Sequence, residues 1–249
     1  MLSSTPSGGK VVDHWLPMGT VGILGGLGPL AGAHFYRRLI ERTPVGGDSQ
    51  HLPVVLASDP TIPSRLDHLL GGGPSPVLAL VHLAQFLEAA GACVIVIPSS
   101  TAHAYYQPIQ ESVDVPVLNL LSEVAEVVIA GGYQRPGLMA TTATATLDLY
   151  RPYLSPQADP IYPDPGSQEE IQELVVSLKD GRDPGSLSDR LSELASRPWA
   201  GGADSIVLAC TELCLFYLHD LKLPVLSSTD VLADSVLKLV AGRQPQAEP

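Results

Sequence analysis

The chain is short of cysteine, of positive charge, of aromatic rings and of long apolar runs, and most of these shortages remove a class of function. Three cysteines in 249 residues, Cys93, Cys210 and Cys214, with no Cys-x-x-Cys spacing, cannot build a disulfide framework or a zinc ribbon. A reducing compartment, the cytoplasm, is expected. Fourteen Lys and Arg against 26 Asp and Glu leave a net charge of -12, and no basic stripe offsets it locally, so nucleic acid is not expected as a partner. No apolar run approaches the roughly 18 to 20 residues of a membrane span. The first residues lack the basic-then-apolar order of a signal peptide. The seven histidines are scattered, without HxxxH or a Cys/His cluster, and no metal site is expected.

What is present is a core-forming chain: 45% hydrophobic, 16% charged, with a mean hydropathy of +0.20, which excludes general disorder. Short β-branched runs (21–24, 54–57, 93–97, 115–118, 137–140, 205–209 and 224–227) alternate with amphipathic stretches, the pattern of an α/β fold with mainly parallel strands. Between 76 and 90 the local signals agree on a helix. Ser75 can cap it, Pro76 suits its first turn, Val77, Leu80, Leu83, Ala84 and Leu87 share one face, and Gly91 stops it. The proline-rich stretch 155–170 predicts loop with one short strand, then a helix near 168–179. Residues 1–19 and 242–249 lack periodicity and are expected to be flexible tails, with Trp15 and Leu16 docking locally.

An internal echo sets the expected architecture. VIVIPSST (94–101) and SIVLACTE (205–212) superpose without gaps, each a buried strand running into small polar residues and a helix start, which places Ser99 opposite Cys210. The fold expected is two pseudo-symmetric lobes, each a mainly parallel sheet flanked by helices, with the active site in the cleft between them. Residues 20–114 plus 228–249 would form one lobe and 115–227 the other.

In open α/β sheets ligands sit beyond the carboxyl ends of the strands, where helix N-termini offer free N–H groups. Thr101, Thr141, Thr144 and Thr211 fall at such ends; they are donors for a small carboxylic acid and equally natural helix caps. A helix dipole is expected to lower the Cys210 thiol pKa and make thiolate available as base or nucleophile. Glu212 would orient a partner or cap the helix, and Cys214 would pack. His103, four residues after Ser99, raises a Ser/His pairing, although no nucleophile-elbow glycines or orienting acid accompany it. The turn GGLGPLAG (25–32), with Gly26, Gly28 and Ala31, followed by Asp59 at the end of the next strand, also fits a dinucleotide fingerprint.

Taken together, GILGGLGPLAG (22–32), DPTIPSR (59–65), IPSSTAHAYY (97–106), LMATTATATLDLY (138–150) and LACTEL (208–213) resemble the aspartate/glutamate racemase family, in order, from about 20 to 240. The resemblance implies a cofactor-independent isomerase of two pseudo-symmetric lobes, typically a homodimer, in which a thiol from each lobe removes or returns the Cα proton. Cys210, followed by Thr211 and Glu212, matches the second-lobe cysteine. At the first-lobe position the family reads Pro-Cys-Asn-Thr-x-His, and this chain reads Pro98-Ser99-Ser100-Thr101-Ala102-His103. Arg65 matches the arginine facing the substrate's side-chain carboxylate. Leu27 and Thr61 stand where Met and Gln are usual near the substrate, and Ser227 replaces an aspartate before the last helix. Glu169 aligns where aspartate-specific members carry lysine.

The implied catalytic pair is therefore Cys210 and Ser99, with Leu27, Thr61, Arg65, Ser100, Thr101, Thr141 and Thr211 around the substrate. Each pKa unit by which a base is weaker costs about 1.4 kcal/mol, and a serine is many units weaker than a thiol. Two-thiol racemisation is therefore expected to be asymmetric or impaired unless His103, a bound water or the oxyanion environment activates Ser99. The serine fits a naturally asymmetric racemase, a substitution made to trap ligand, or a relative with different chemistry. A racemase or epimerase of aspartate or glutamate is the reading favoured. The alternatives are a single-cysteine decarboxylase or isomerase of a small dicarboxylic acid, for which Glu169 is the clue, and a non-catalytic small-acid-binding relative.

Overall fold

A computed structural model describes residues 19–216 and 218–241. The expected tails, with Trp15 and Leu16, lie almost wholly outside the described residues. In chain order the elements are β1 (Val21–Gly25), α1 (Pro29–Arg42), β2 (Val54–Ser58), α2 (Arg65–Gly71), α3 (Val77–Ala89), β3 (Val94–Val96), α4 (Tyr106–Gln110), β4 (Val117–Leu118), α5 (Leu120–Ala130), β5 (Pro136–Met139), α6 (Thr142–Thr146), α7 (Arg151–Leu154), α8 (Pro165–Lys179), α9 (Ser188–Ala195), β6 (Ser205–Leu208), β7 (Val225–Ser227) and α10 (Ser228–Ala241). The strands form two sheets, ordered β2-β1-β3-β4 and β5-β6-β7, and every pairing is parallel. The α/β class with two parallel sheets flanked by helices is as expected.

The two-residue alternation of a strand explains how both sheets are buried on both faces. Val94 and Val96 of β3, with Val207 and Ala209 at β6, enter a central core shared with α5 and α10. Ile95 and Ile97 face an outer layer with Leu80, Ala84 and Leu87 of α3, and Ile206 and Leu208 face one with Ile171 and Val175 of α8. By this parity Ser99 follows Ile95 and Ile97 as Cys210 follows Ile206 and Leu208, so the echo of the two segments survives in three dimensions.

Local signals hold where they were strongest. The Ser75 hydroxyl accepts the Val77 N–H at 3.3 Å, and Gly91, at φ +95, follows the end of α3. Three expectations are corrected. β4 pairs with β3 in the first sheet, so that sheet takes its edge strand from residues given to the second lobe; two residues are too few to set a lobe boundary by pattern. The short strand in 155–170 reduces to a single bridge from Ile161 to Gly137. Directly after Cys210 the chain forms a 3₁₀ turn at Leu213–Leu215 in place of the expected α-helix.

Candidate active site

Ser99 and Cys210, beyond the ends of β3 and β6, line one cavity of about 200 Å³. That is below the roughly 300 to 1,000 Å³ of drug-sized sites, so a small ligand is the only fit. Leu27, Arg65, Ser100, Thr101 and Thr141 line it too. Two expected residues do not. Thr61 turns away, its N–H and hydroxyl both donating to Asp59 Oδ1 at 2.9 and 2.6 Å. Thr211 is buried, and its hydroxyl donates across the lobes to the Pro98 carbonyl at 3.0 Å. It ties the Cys210 segment to the Ser99 segment from behind the cavity wall.

The environment of Cys210 reverses the expected direction of its pKa. Burial comes first and the Glu212 carboxylate second, and together they push the thiol well above its ordinary value against the weaker opposing pull of Lys179. The short turn that follows opposes this weakly, through the backbone N–H of Glu212. The thiol donates to Glu212 Oε2 at 3.2 Å, and Lys179 Nζ lies 3.5 Å from Glu212 Oε1. Cys214 instead donates to the Leu208 carbonyl at 3.5 Å and packs against the outer layer.

Hydrogen-bond bookkeeping excludes a Ser/His pair. The His103 Nε2 accepts the Leu120 N–H at 3.0 Å, which requires the proton on Nδ1. Nδ1 then donates to the Ser99 carbonyl at 2.9 Å. Both nitrogens are committed to backbone, and burial lowers the ring's pKa. His103 clamps the Ser99 loop to the start of α5 and has no lone pair for the Ser99 hydroxyl. That hydroxyl has no hydrogen-bond partner among the described residues.

The threonines close a ring across the lobes: Thr101 to Thr141 at 2.8 Å, Thr101 to Thr144 at 2.9 Å and Thr141 to Thr144 at 3.0 Å. Three rotatable O–H groups, two of them on the cavity wall, can re-aim at an incoming carboxylate. Thr141 also caps α6 through the Thr144 N–H at 3.4 Å. Ser100 is held by the buried Tyr150 hydroxyl at 3.2 Å.

Gln172, Val176 and Lys179 complete the wall and were missed in the sequence. Their i, i+4, i+7 spacing on α8 is the available signal, legible only once the facing side of that helix is known. Glu169 does not line this cavity; with Gln168 and Thr146 it lines a neighbouring depression that shares Gln172 and Val176 with it. The cavity itself carries a lysine, at 179. Arg65 donates to the carbonyls of Leu27 and, at 3.1 Å, Pro63, which fixes its guanidinium at the wall. With Arg65 and Lys179 against Glu212, the lining holds a net positive charge in a chain of net charge -12.

The glycine turn serves this geometry and leaves no cradle for a pyrophosphate. Gly26 has φ +90, and a Cβ there would stand 2.4 Å from Asp59 backbone atoms; a Cβ on Gly28 would stand 2.6 Å from Glu212 Oε1. A carboxylate of the protein itself occupies the approach that Gly28 opens, where it repels phosphate.

The sequence matches the Asp/Glu/hydantoin racemase family over residues 24–236. It is 25% identical over 227 residues to the broad specificity amino-acid racemase RacX of Bacillus subtilis, covering 87% of this chain and 96% of that protein. The fold superposes on the Picrophilus torridus aspartate racemase with a TM-score of 0.77 at 27% identity, covering 89% of this chain and 94% of that one. It superposes on a putative Asp/Glu racemase of Yersinia pestis with a TM-score of 0.74 at 23% identity, over 89% and 99% of the two chains.

Proposed function

The chain belongs to the Asp/Glu/hydantoin racemase family, and from that premise we propose that it racemises or epimerises a small acidic amino acid, aspartate or glutamate, without a cofactor. One observation carries the reading: Cys210 and Ser99, at equivalent register in the two lobes, line a single small cavity whose charge is positive. The side-chain carboxylate of the substrate lies against Arg65 and Lys179, and the α-carboxylate takes hydroxyl donors from Thr101 and Thr141. These donors stabilise the enediolate-like charge that develops when the Cα proton leaves.

Cys210 is the acid/base group, and Glu212 is its proton partner. Passing the thiol proton along the 3.2 Å contact to Glu212 yields thiolate and a neutral carboxyl with no change of net charge in the cleft. The thiolate then takes the Cα proton. Returning it to the same face exchanges the proton without inversion. Inversion needs a donor on the Ser99 face, and a serine alkoxide is far less stable than a thiolate at neutral pH, so inversion lags behind exchange. The decarboxylase alternative drew on Glu169 as a lost counter-charge; the racemase reading is supported by Lys179, which supplies a cation at the cavity wall.

The test is α-proton exchange in D2O with each enantiomer of aspartate and glutamate. Deuterium enters one enantiomer of at least one of them, and Cys210→Ala abolishes the uptake. Absence of uptake from all four, with calorimetric binding of the same acids, identifies a non-catalytic binding protein and overturns the proposal.

A further inference from the structure

The cleft has a second chamber. Beside the catalytic cavity lies one of about 650 Å³, inside the roughly 300 to 1,000 Å³ range of drug-sized sites and far larger than aspartate requires. The two share Leu27, Ser64, Arg65, Lys179 and Glu212 in their linings, so they adjoin at these residues. Beyond the shared residues the outer chamber is faced by Pro29, Leu30, Ile62, Leu178 and Leu215, an apolar surface with no acidic or basic group of its own.

The partition has one fixed and one movable member. Arg65 is held by the carbonyls of Leu27 and Pro63. Lys179 is the last residue of α8, 41% exposed at its side chain, and attached to Glu212 through a single 3.5 Å contact. Such a contact is weak and readily exchanged for water, and the flexible stem of a lysine lets its ammonium swing outward. An acidic side chain holds the ammonium in place by charge. An apolar side chain too long for the inner cavity displaces it and enters the outer chamber.

We propose that the outer chamber is a side-chain subsite, through which the same cleft accepts α-amino acids with large apolar side chains, of the methionine or phenylalanine class, as a second substrate group. This rests on the reading of Cys210 as the acid/base group at Cα, since the reacting atoms stay in the inner cavity. Leu30 is the place to test it: it faces only the outer chamber, is 46% exposed, and lies in the first turn of α1, where tryptophan or aspartate is tolerated without loss of the core.

The experiment compares α-proton exchange in D2O for aspartate, methionine and phenylalanine in the wild-type chain, Leu30→Trp and Leu30→Asp. The wild type exchanges all three; either variant lowers kcat/KM for the apolar pair by about tenfold or more and leaves aspartate within about twofold. Exchange of aspartate with none from methionine or phenylalanine overturns the subsite while leaving the acidic-substrate reading intact. An equal fall for all three substrates overturns it too. No exchange from any amino acid overturns both.

Discussion

Cys210 was legible in the sequence as the candidate reactive group, but the surroundings of its thiol were not. Its position after a strand suggested a helix dipole, whereas the three dimensions supply burial and a carboxylate 3.2 Å away. The thiol is therefore protonated in the resting site, and its proton has to pass to Glu212 before the Cα proton can be taken. Glu212→Gln keeps a hydrogen-bond acceptor but cannot take that proton. It should lower kcat/KM near neutral pH by about 100-fold and leave a residual rate that rises with pH as the thiol ionises to solvent, and an unchanged rate and profile would show that Glu212 is not the proton partner. His103 makes a separate prediction, about stability. Its folded pKa is below the ordinary 6.5, so the unfolded chain binds more protons and stability is lost as pH falls below about 6.5. Urea unfolding at stepped pH should show that loss in the wild type and a flatter profile in His103→Asn; identical slopes would remove the buried neutral imidazole from the account.

The elements divide by the strength of their periodic signal. Strands 21–25, 54–58 and 205–208 and the helix at 77–89 were legible because β-branched runs and a one-faced apolar stripe leave few alternatives. The two-residue strand at 117–118 and the 3₁₀ turn after Cys210 were not, since elements that short have no period to read. The orientation of α8 was hidden for another reason: which of its residues face the cleft depends on how the second lobe docks. The turn between β1 and α1 gives the sharpest element-scale test. Gly26→Ala forces a Cβ into the Asp59 backbone at positive φ and should cost about 1 to 3 kcal/mol in urea unfolding. Gly28→Ala meets only the end of the Glu212 side chain, so it should spare stability while lowering exchange about 10- to 100-fold through misplacement of that carboxylate. Equal effects on stability would refute the distinction.

At the scale of the whole molecule, the two sheets share one central core and place equivalent strand ends face to face. α10 carries the chain back from the second sheet to pack on α1 and α5, and Asp230 in α10 receives a two-pronged contact from Arg38 of α1 at 2.7 and 3.0 Å. The cleft is thus built between two halves joined at strand ends by Thr211 to Pro98 and by the threonine ring. On the proposed reading, function at this scale is a matter of symmetry broken at one atom: a sulfur at one strand end and an oxygen at the equivalent one.

The measurement that bears most directly on this is chirally resolved deuterium incorporation, following exchange and inversion of each aspartate and glutamate enantiomer in the wild type and in Ser99→Cys. Exchange that outruns inversion and favours one enantiomer in the wild type, becoming two-sided with faster inversion once a thiol stands at 99, is the predicted result. Equal exchange and inversion from both enantiomers in the wild type, with no gain in Ser99→Cys, would contradict the opposition of Cys210 and Ser99 on which the account is built.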